Sequence, residues 1–213
     1  MSEPTTPLIL VGGGGHCLSC IDVVESTGRF HIVGIVDTAE KAGTSVLGYP
    51  VIGCDDDIPA LVADYPHFLI TIGQIKTPGL RKKLSGIIKD AGGVLPVIIS
   101  PHAYVSPHAD VEEGSIVMHR AIVNAGAHVG RCCIINTLAL IEHEARVGDY
   151  CHISTAACLN GQVTIGEETF IGSNAVIGNN LTIAPNTLVA AGSQVLKNLV
   201  HSGTYLGNPL RRI

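Results

Sequence analysis

The chain has 213 residues, a formal charge of −5, 25 glycines, 4% aromatic residues and no Trp. This length allows one large or two small domains with a sizeable core. The acidic balance argues against a general nucleic-acid surface, and no apolar run is long enough to span a bilayer.

Met1 to Pro7 is polar and lacks the charged and apolar regions of a secretory signal. It reads as a short disordered lead, or as a junction if the chain is part of something longer. Pro7 to Val11 is a buried-strand run that ends in Gly12-Gly13-Gly14-Gly15-His16. A helix pattern follows from Cys17 to about Ser26, then a strand from His31 to the acidic Asp37. Val51 to Gly53 is a short strand candidate, and Phe68 to Ile72 is a clear strand ending in Gly73-Gln74. Lys76 to Ala91 is predicted helical and Val94 to Ile98 is predicted as a last strand. Alternating strands and helices imply a small parallel α/β domain over residues 1–99.

Four glycines after the first strand let the backbone approach a ligand closely, and the following helix offers amides to a phosphate. The strand-end Asp37 could bond a ribose or a base. As a dinucleotide fingerprint the loop is weak, because Cys17 stands where the third glycine would fall. A single nucleotide diphosphate, as in a nucleotide-sugar, suits the short domain better; a tight turn with no ligand is the other reading. Gly73 would line the same crevice. Cys17 and Cys20 have CxxC spacing, but packing of the first helix explains them better than redox chemistry. With seven cysteines and no second CxxC, the expected setting is the reduced cytoplasm and no zinc site.

From Val105 to Val195 an aliphatic residue falls at every sixth position without a miss. Two residues before each stands a mostly small one, such as Ala121, Ala139, Cys151 and Ala157, with Val163 and Leu181 as exceptions. A period of six fits neither an α-helix nor a simple strand. It fits a chain wound into a triangular prism, one hexapeptide per side, over residues 100–213. The large aliphatic is expected to fill the axis and the small residue to let the corner close.

Ten histidines are present, most at outward repeat positions, and none forms an HxH or HExxH ligand set. Ile141-Glu142-His143-Glu144 stands out. One carboxylate can fix the imidazole tautomer and leave the other nitrogen as a base; a solvated surface histidine is the alternative. Three hexapeptides make one coil, so Gly161 stacks over His143 at ~4.8 Å, one strand spacing. A glycine there exposes an N–H as an oxyanion donor beside a base. His152 is half a coil from His143 and could meet it only across a subunit boundary.

These motifs, with Thr71 to Gln74, Asn136-Thr137, Asp149 to His152, Asn160-Gly161 and Gly207-Asn208-Pro209, resemble those of bacterial sugar acyltransferases. The likeness covers about residue 7 to the end and is greatest to the UDP-4-amino-sugar N-acetyltransferases of bacillosamine biosynthesis. Sialic acid O-acetyltransferases and perosamine N-acetyltransferases are near relatives. The resemblance implies a Rossmann-like α/β domain followed by a left-handed parallel β-helix, and an obligate homotrimer with acetyl-CoA between adjacent β-helices. It implies that His143 is the general base, that Glu144 orients it, and that Gly161 polarises the thioester. Gly12, Gly13, Gly14, Gly15, His16, Asp37, Gly73 and Asn136 would hold the UDP-amino sugar. His152, Gly161, Ala191, Gly207 and Pro209 would contact the coenzyme, and no metal is needed. The expected reaction is acetylation of the 4-amine of a UDP-4-amino-4,6-dideoxy sugar. O-acetylation of a sialic acid and a purely structural β-helix are the rivals. Cys17 and Gln74 stand where the family often has Gly and Asn.

Overall fold

The computed structural model describes residues 5–207 and 211–212. The chain divides into two compact units. The first runs to Gly73 and resumes over Gly79–Ile98; the second takes Gln74–Pro78 and the chain from Ile99 onward.

The first unit is a five-stranded sheet flanked by helices. Its strands are β1 (Thr6–Val11), β2 (Phe30–Val36), β3 (Ser45–Val46), β4 (Tyr49–Gly53) and β5 (Phe68–Ile70), in the order β3-β4-β2-β1-β5. All neighbours pair in parallel except β3 and β4. The helices are α1 (Gly15–Thr27), α2 (Ile58–Asp64) and α3 (Gly79–Asp90). Leu8, Ile9 and Leu10 are fully buried in succession, as expected of a strand covered on both faces. Gly28 ends α1 in the left-handed conformation at φ 62°, where glycine carries no Cβ penalty.

The structure differs from the sequence reading at three places. The helix expected from Lys76 begins at Gly79, after Pro78; the residue before a proline, here Thr77, is pushed out of the α region. The strand expected over Val94–Ile98 is absent. Val94 makes an isolated bridge to His67, Pro96 brings no N–H to a ladder, and Ile98–Ile99 instead opens a face of the second unit. The short helix α2, with Pro59 in its first turn, was not foreseen, although proline is favoured there.

The second unit is a triangular parallel β-helix built from two-residue strands. One face stacks the strands from Tyr104–Val105 to Gln194–Val195, a second those from Asp110–Val111 to Thr182–Ile183, and a third those from Ile98–Ile99 to Gly203–Leu206. Each strand pairs with the equivalent strand one coil away, as Leu140 does with Cys158 and Ile141 with Leu159. The period-six aliphatics from Val117 to Val195 form the buried spine. Full burial of one such side chain stabilises by roughly 1.5–3 kcal/mol.

The small residues stand just after the corners. Ala121, Ala139, Ala145 and Ala157 are fully buried; they point inward beside the large aliphatics, where a longer side chain has no room. The corner falls one residue earlier. At every sixth residue from Gly114 to Gly192 φ is positive, and most of these residues are not glycine: Arg120, Leu138, Glu144 and Tyr150 are among them. Left-handed backbone costs such residues about 1–2 kcal/mol each. Ladder bonds offset this: Glu144 N–H donates to Ala125 O (3.1 Å) and Gln162 N–H to His143 O (3.0 Å).

Candidate active site

In the first unit the strand order reverses about β1, so its C-terminal edge and that of β5 flank a crevice, the usual ligand position in open α/β sheets. Gly12 takes φ 103°, and a Cβ there would collide with Ile72. Gly14 and Gly15 are exposed and open. No acidic side chain occupies the first turn of α1, so its amides face outward with the dipole suited to an anion. His16 is half-buried, and a Cβ at Gly73 would lie 3.5 Å from its Cβ.

Asp37 sits beside this loop, but its carboxylate is occupied. Oδ2 accepts the Gly13 N–H at 2.6 Å and Lys41 Nζ at 2.8 Å, and Oδ1 accepts the Thr38 N–H at 2.7 Å. A Cβ at Gly13 would lie 2.8 Å from Oδ2. Asp37 therefore pins the glycine loop. Burial pushes its carboxyl upward, but the bonds from Lys41, Thr38 and Gly13 outweigh this and hold it below the usual carboxylate range. A depressed folded pKa means that the stabilisation is present above the unfolded value and is lost as pH falls through the folded one. Stability is therefore expected to fall below about pH 4, the ordinary carboxylate value. In Asp37→Asn that part of the acid limb should be missing from the pH dependence of thermal unfolding; an identical limb would show that Asp37 does not contribute to it.

In the second unit His143 and Glu144 form one corner. His143 Nδ1 lies 3.5 Å from Glu144 Oε2, and both side chains are more than half exposed. Glu144 Oε2 also accepts Gln162 Nε2 at 2.8 Å, from the next coil. These two contacts, that of Gln162 the larger, hold the Glu144 carboxyl below its ordinary value. Glu142 does different work: its Oε2 accepts the His143 N–H (3.2 Å) and Asn124 Nδ2 (3.0 Å), which fixes the turn.

Gly161 lies against the His143 ring. A Cβ at Gly161 would stand 2.5 Å from both Cε1 and Nε2. The Gly161 N–H donates to no acceptor among the described residues. With Nδ1 turned to Glu144, a proton-accepting Nε2 and an unspent amide donor lie side by side, a pairing suited to acyl transfer.

Asn136 and His152 also come together. Asn136 Nδ2 lies 3.1 Å from His152 Nε2, and its Oδ1 accepts the Thr137 N–H at 2.8 Å. His152 Nδ1 lies 2.7 Å from the carbonyl oxygen of Gln74. A carbonyl only accepts, so the ring proton is on Nδ1 and Nε2 accepts from Asn136. His152 is buried against the Phe170 ring, 5.1 Å away edge to face. Nitrogen NMR at neutral pH should show His152 unprotonated at Nε2; a proton on Nε2 would overturn this tautomer. Sequence reasoning missed the role of Gln74. Its Nε2 donates to Tyr150 O at 2.8 Å, so the segment is fastened on both sides of His152. Its buried Oε1 has no partner among the described residues.

Within one chain His152 lies on the third face and His143 at the corner between the first and second, so the two do not meet. Ala191 is an exposed corner residue in the column of Thr155 and Ser173. The N–H groups of all three are without acceptors among the described residues. Gly207 has φ 110°; Pro209 lies outside the described residues.

Two groupings were not foreseen. A cavity of about 330 Å3 is lined by Lys76, Glu168, Asn186 and neighbours. Asp110, Glu112 and His128 bring potential metal-ligand atoms within 4.8 Å of one another. Yet His128 Nδ1 lies 3.2 Å from Asp110 and Nε2 lies 3.1 Å from Glu112, so both ring nitrogens already face a carboxylate. Cys17 and Cys20 are fully buried, and burial pushes both thiols up, which favours packing over redox chemistry.

A β-helix of this repeat, with an imidazole and an unspent backbone amide side by side at one corner, has the arrangement of a hexapeptide acyltransferase. Comparison with known proteins narrows the class. The PglD N-terminal domain family matches residues 7–85, and the bacterial transferase hexapeptide family matches residues 162–197. No curated protein sequence matches the chain. Perosamine N-acetyltransferase from Caulobacter crescentus, solved as a point mutant with CoA and GDP-perosamine, is 33% identical with a TM-score of 0.91; the match covers 99% of this chain and 98% of that one. PerB from the same organism, with the same two ligands, is 34% identical at a TM-score of 0.90, with coverage of 99% and 98%. The acetyltransferase domain of PglB from Neisseria gonorrhoeae, with acetyl coenzyme A, is 29% identical at 0.90, with coverage of 99% and 100%. The chain belongs to the family of bacterial sugar N-acetyltransferases that join a PglD-type N-terminal domain to a hexapeptide β-helix.

Proposed function

We propose that this enzyme transfers the acetyl group of acetyl-CoA to the 4-amine of a UDP-4-amino-4,6-dideoxy sugar, giving a UDP-di-N-acetylated sugar of the bacillosamine type. The observation that carries the reading is the contact of His143 with Gly161. The neutral amine attacks the thioester carbonyl and His143 Nε2 takes its proton as the C–N bond forms. The Gly161 N–H stabilises the developing oxyanion. Collapse breaks the C–S bond, and the thiolate leaves as CoA with the proton returned by His143. Glu144 holds the imidazole in the required tautomer. The glycine loop, His16 and Gly73 bind the nucleotide-sugar, and Asp37 shapes that loop. Asn136 and His152 border the reacting groups, while the column of amides to Ala191 tracks the pantetheine arm.

The working unit is a homotrimer. The first face of the β-helix presents Tyr104, Ile122, Leu140 and Val176 outward, with Tyr104 55% and Val176 38% exposed. The second presents Asp110, His128, Arg146 and Thr164 instead. An exposed apolar face of this kind favours self-association. His143 stands at one edge of that face and the Asn136 corner at the other. Packing between copies therefore joins one copy's base to the next copy's Asn136 and His152. Among the described residues no helix is long and apolar enough to cross a membrane, and a cytoplasmic setting suits acetyl-CoA. Release of CoA thiol with a UDP-4-amino sugar, read beside sialic acid and GDP-perosamine, tests the reading. Turnover with sialic acid alone would replace it by O-acetylation; no turnover with any of them, in a folded trimer, would end it.

A further inference from the structure

We infer that Gln74 is a positioning residue for the acyl transfer: it sets the direction of a hydrogen-bonded relay that leaves Asn136 with one fixed N–H donor, an inference that rests on the acceptor reading above. Gln74 belongs to the second unit and is 4% exposed. Between β5 and α3 the chain forms no helix or strand, and the Gln74 N–H donates to no acceptor among the described residues. Its place therefore depends on its own side chain, whose Nε2 donates to Tyr150 O at 2.8 Å. That bond holds the Gln74 carbonyl oxygen 2.7 Å from His152 Nδ1, on the same coil as Tyr150. The remaining side-chain atom, Oε1, is buried without a partner among the described residues. A buried acceptor left unmade lowers stability, and an apolar side chain of the same length would avoid that cost. Packing alone therefore does not account for a glutamine here.

Backbone atoms at the two ends fix the polarity of the relay. A carbonyl only accepts, so the His152 proton is on Nδ1. At the far end the Thr137 N–H only donates, so the Asn136 atom 2.8 Å from it is Oδ1, and the atom 3.1 Å from His152 Nε2 is Nδ2. Neither the ring nor the amide can turn over without setting donor against donor or acceptor against acceptor. A proton on Nε2 would face the Asn136 N–H, so the arrangement holds His152 neutral. His152 thus moves no proton in the reaction; it positions Asn136. Asn136 Nδ2 carries a second hydrogen, which has no acceptor among the described residues. What meets it must bring a lone pair. A neutral amine brings one, whereas an ammonium brings only donors. In the reading above Asn136 borders the reacting groups, so the relay favours the acceptor in its uncharged, nucleophilic form.

The test compares the parent enzyme with Gln74→Ala and with Gln74→Met, which keeps the length of the side chain but cannot donate to Tyr150 O. The His152 Nδ1 proton is read by nitrogen-edited NMR. Turnover is read as CoA thiol released from acetyl-CoA with a UDP-4-amino-4,6-dideoxy sugar and, separately, with sialic acid. In the parent the buried Nδ1 proton should give a resolved signal that exchanges slowly with water; in both variants it should broaden or vanish. kcat should fall by about tenfold, the scale of one lost hydrogen bond, with both KM values moving less. Gln74→Met also removes the buried Oε1, so its melting temperature should stay near that of the parent, which separates a lost position from a lost fold. A loosened Nδ1 proton with full turnover, or a fall in kcat with the Nδ1 proton unmoved, would overturn the inference. The two sugars separate it from the reading on which it rests. Turnover of sialic acid alone, lowered in both variants, ends the amine reading and keeps Gln74 as a positioning residue. Amino-sugar turnover unchanged in both variants ends the inference and keeps the reaction.

Discussion

Conversion of His143 to Ala is expected to lower kcat by about 10²–10⁴-fold, the usual worth of a positioned general base, without disturbing the proposed trimer. The side chain is 57% exposed and its backbone bonds, to Glu142 Oε2 through N–H and to Gln162 N–H through the carbonyl, do not depend on the ring. Thermal unfolding should shift little, and gel filtration should return the same oligomer. If His143 acts as base, KM for acetyl-CoA should move far less than kcat, since the ring does its work as the C–N bond forms. A variant that keeps its turnover removes His143 from the base role whatever happens to KM. Glu144→Gln is the gentler companion: it retains the shape and the Gln162 neighbour but loses the carboxylate facing Nδ1, so a partial fall in kcat is expected.

Gly161→Ala should be nearly as damaging, for a different reason. The backbone at Gly161 is outside the left-handed region, so alanine is sterically permitted there. The new methyl group would stand 2.5 Å from Nε2 and Cε1 of His143. Because the imidazole is exposed and can swing aside, the collision should displace the ring rather than unfold the coil. A loss of about 10²–10³-fold in kcat is expected, because the methyl group displaces the His143 ring and crowds the place of the carbonyl oxygen beside the retained N–H, with a melting temperature within a few degrees of the parent. The decisive comparison is the double variant. If Gly161→Ala acts by dislodging His143, adding it to His143→Ala should cost much less than it does alone. Full additivity would separate the two residues and leave Gly161 with a role of its own.

The β-helix was legible because its signal is arithmetic. An unbroken aliphatic period from Val105 to Val195 fixes which side chains face the axis, and the coil length then places Gly161 at His143. The corners were less legible. Arg120, Leu138, Glu144 and Tyr150 share a left-handed backbone but no common chemistry, because the ladder bonds and not the side chain impose the conformation. The small residue beside them was the visible mark, one position after the corner. In the first unit the glycine loop announced itself, whereas the commitment of Asp37 to Gly13 and Lys41 needed coordinates. The Gln74 carbonyl on His152 was beyond reach, since a backbone atom far away in sequence leaves no trace in residue type.

The left-handed corner has one more consequence. A side chain at such a position projects out of the prism and no longer takes part in its packing, so Arg120, Glu144 and Gln162 can differ freely while the coil beneath them stays the same. Length is then the only variable of the scaffold, and it comes in whole coils. Inserting or deleting one complete turn between Gly161 and Ala191 would carry everything beyond it along the axis by ~4.8 Å with the inward register kept. A single inserted residue would turn the spine outward. The distance from the His143 corner to Ala191 is thus quantised, and selection can adjust it by counting turns while the surroundings of His143 are held constant.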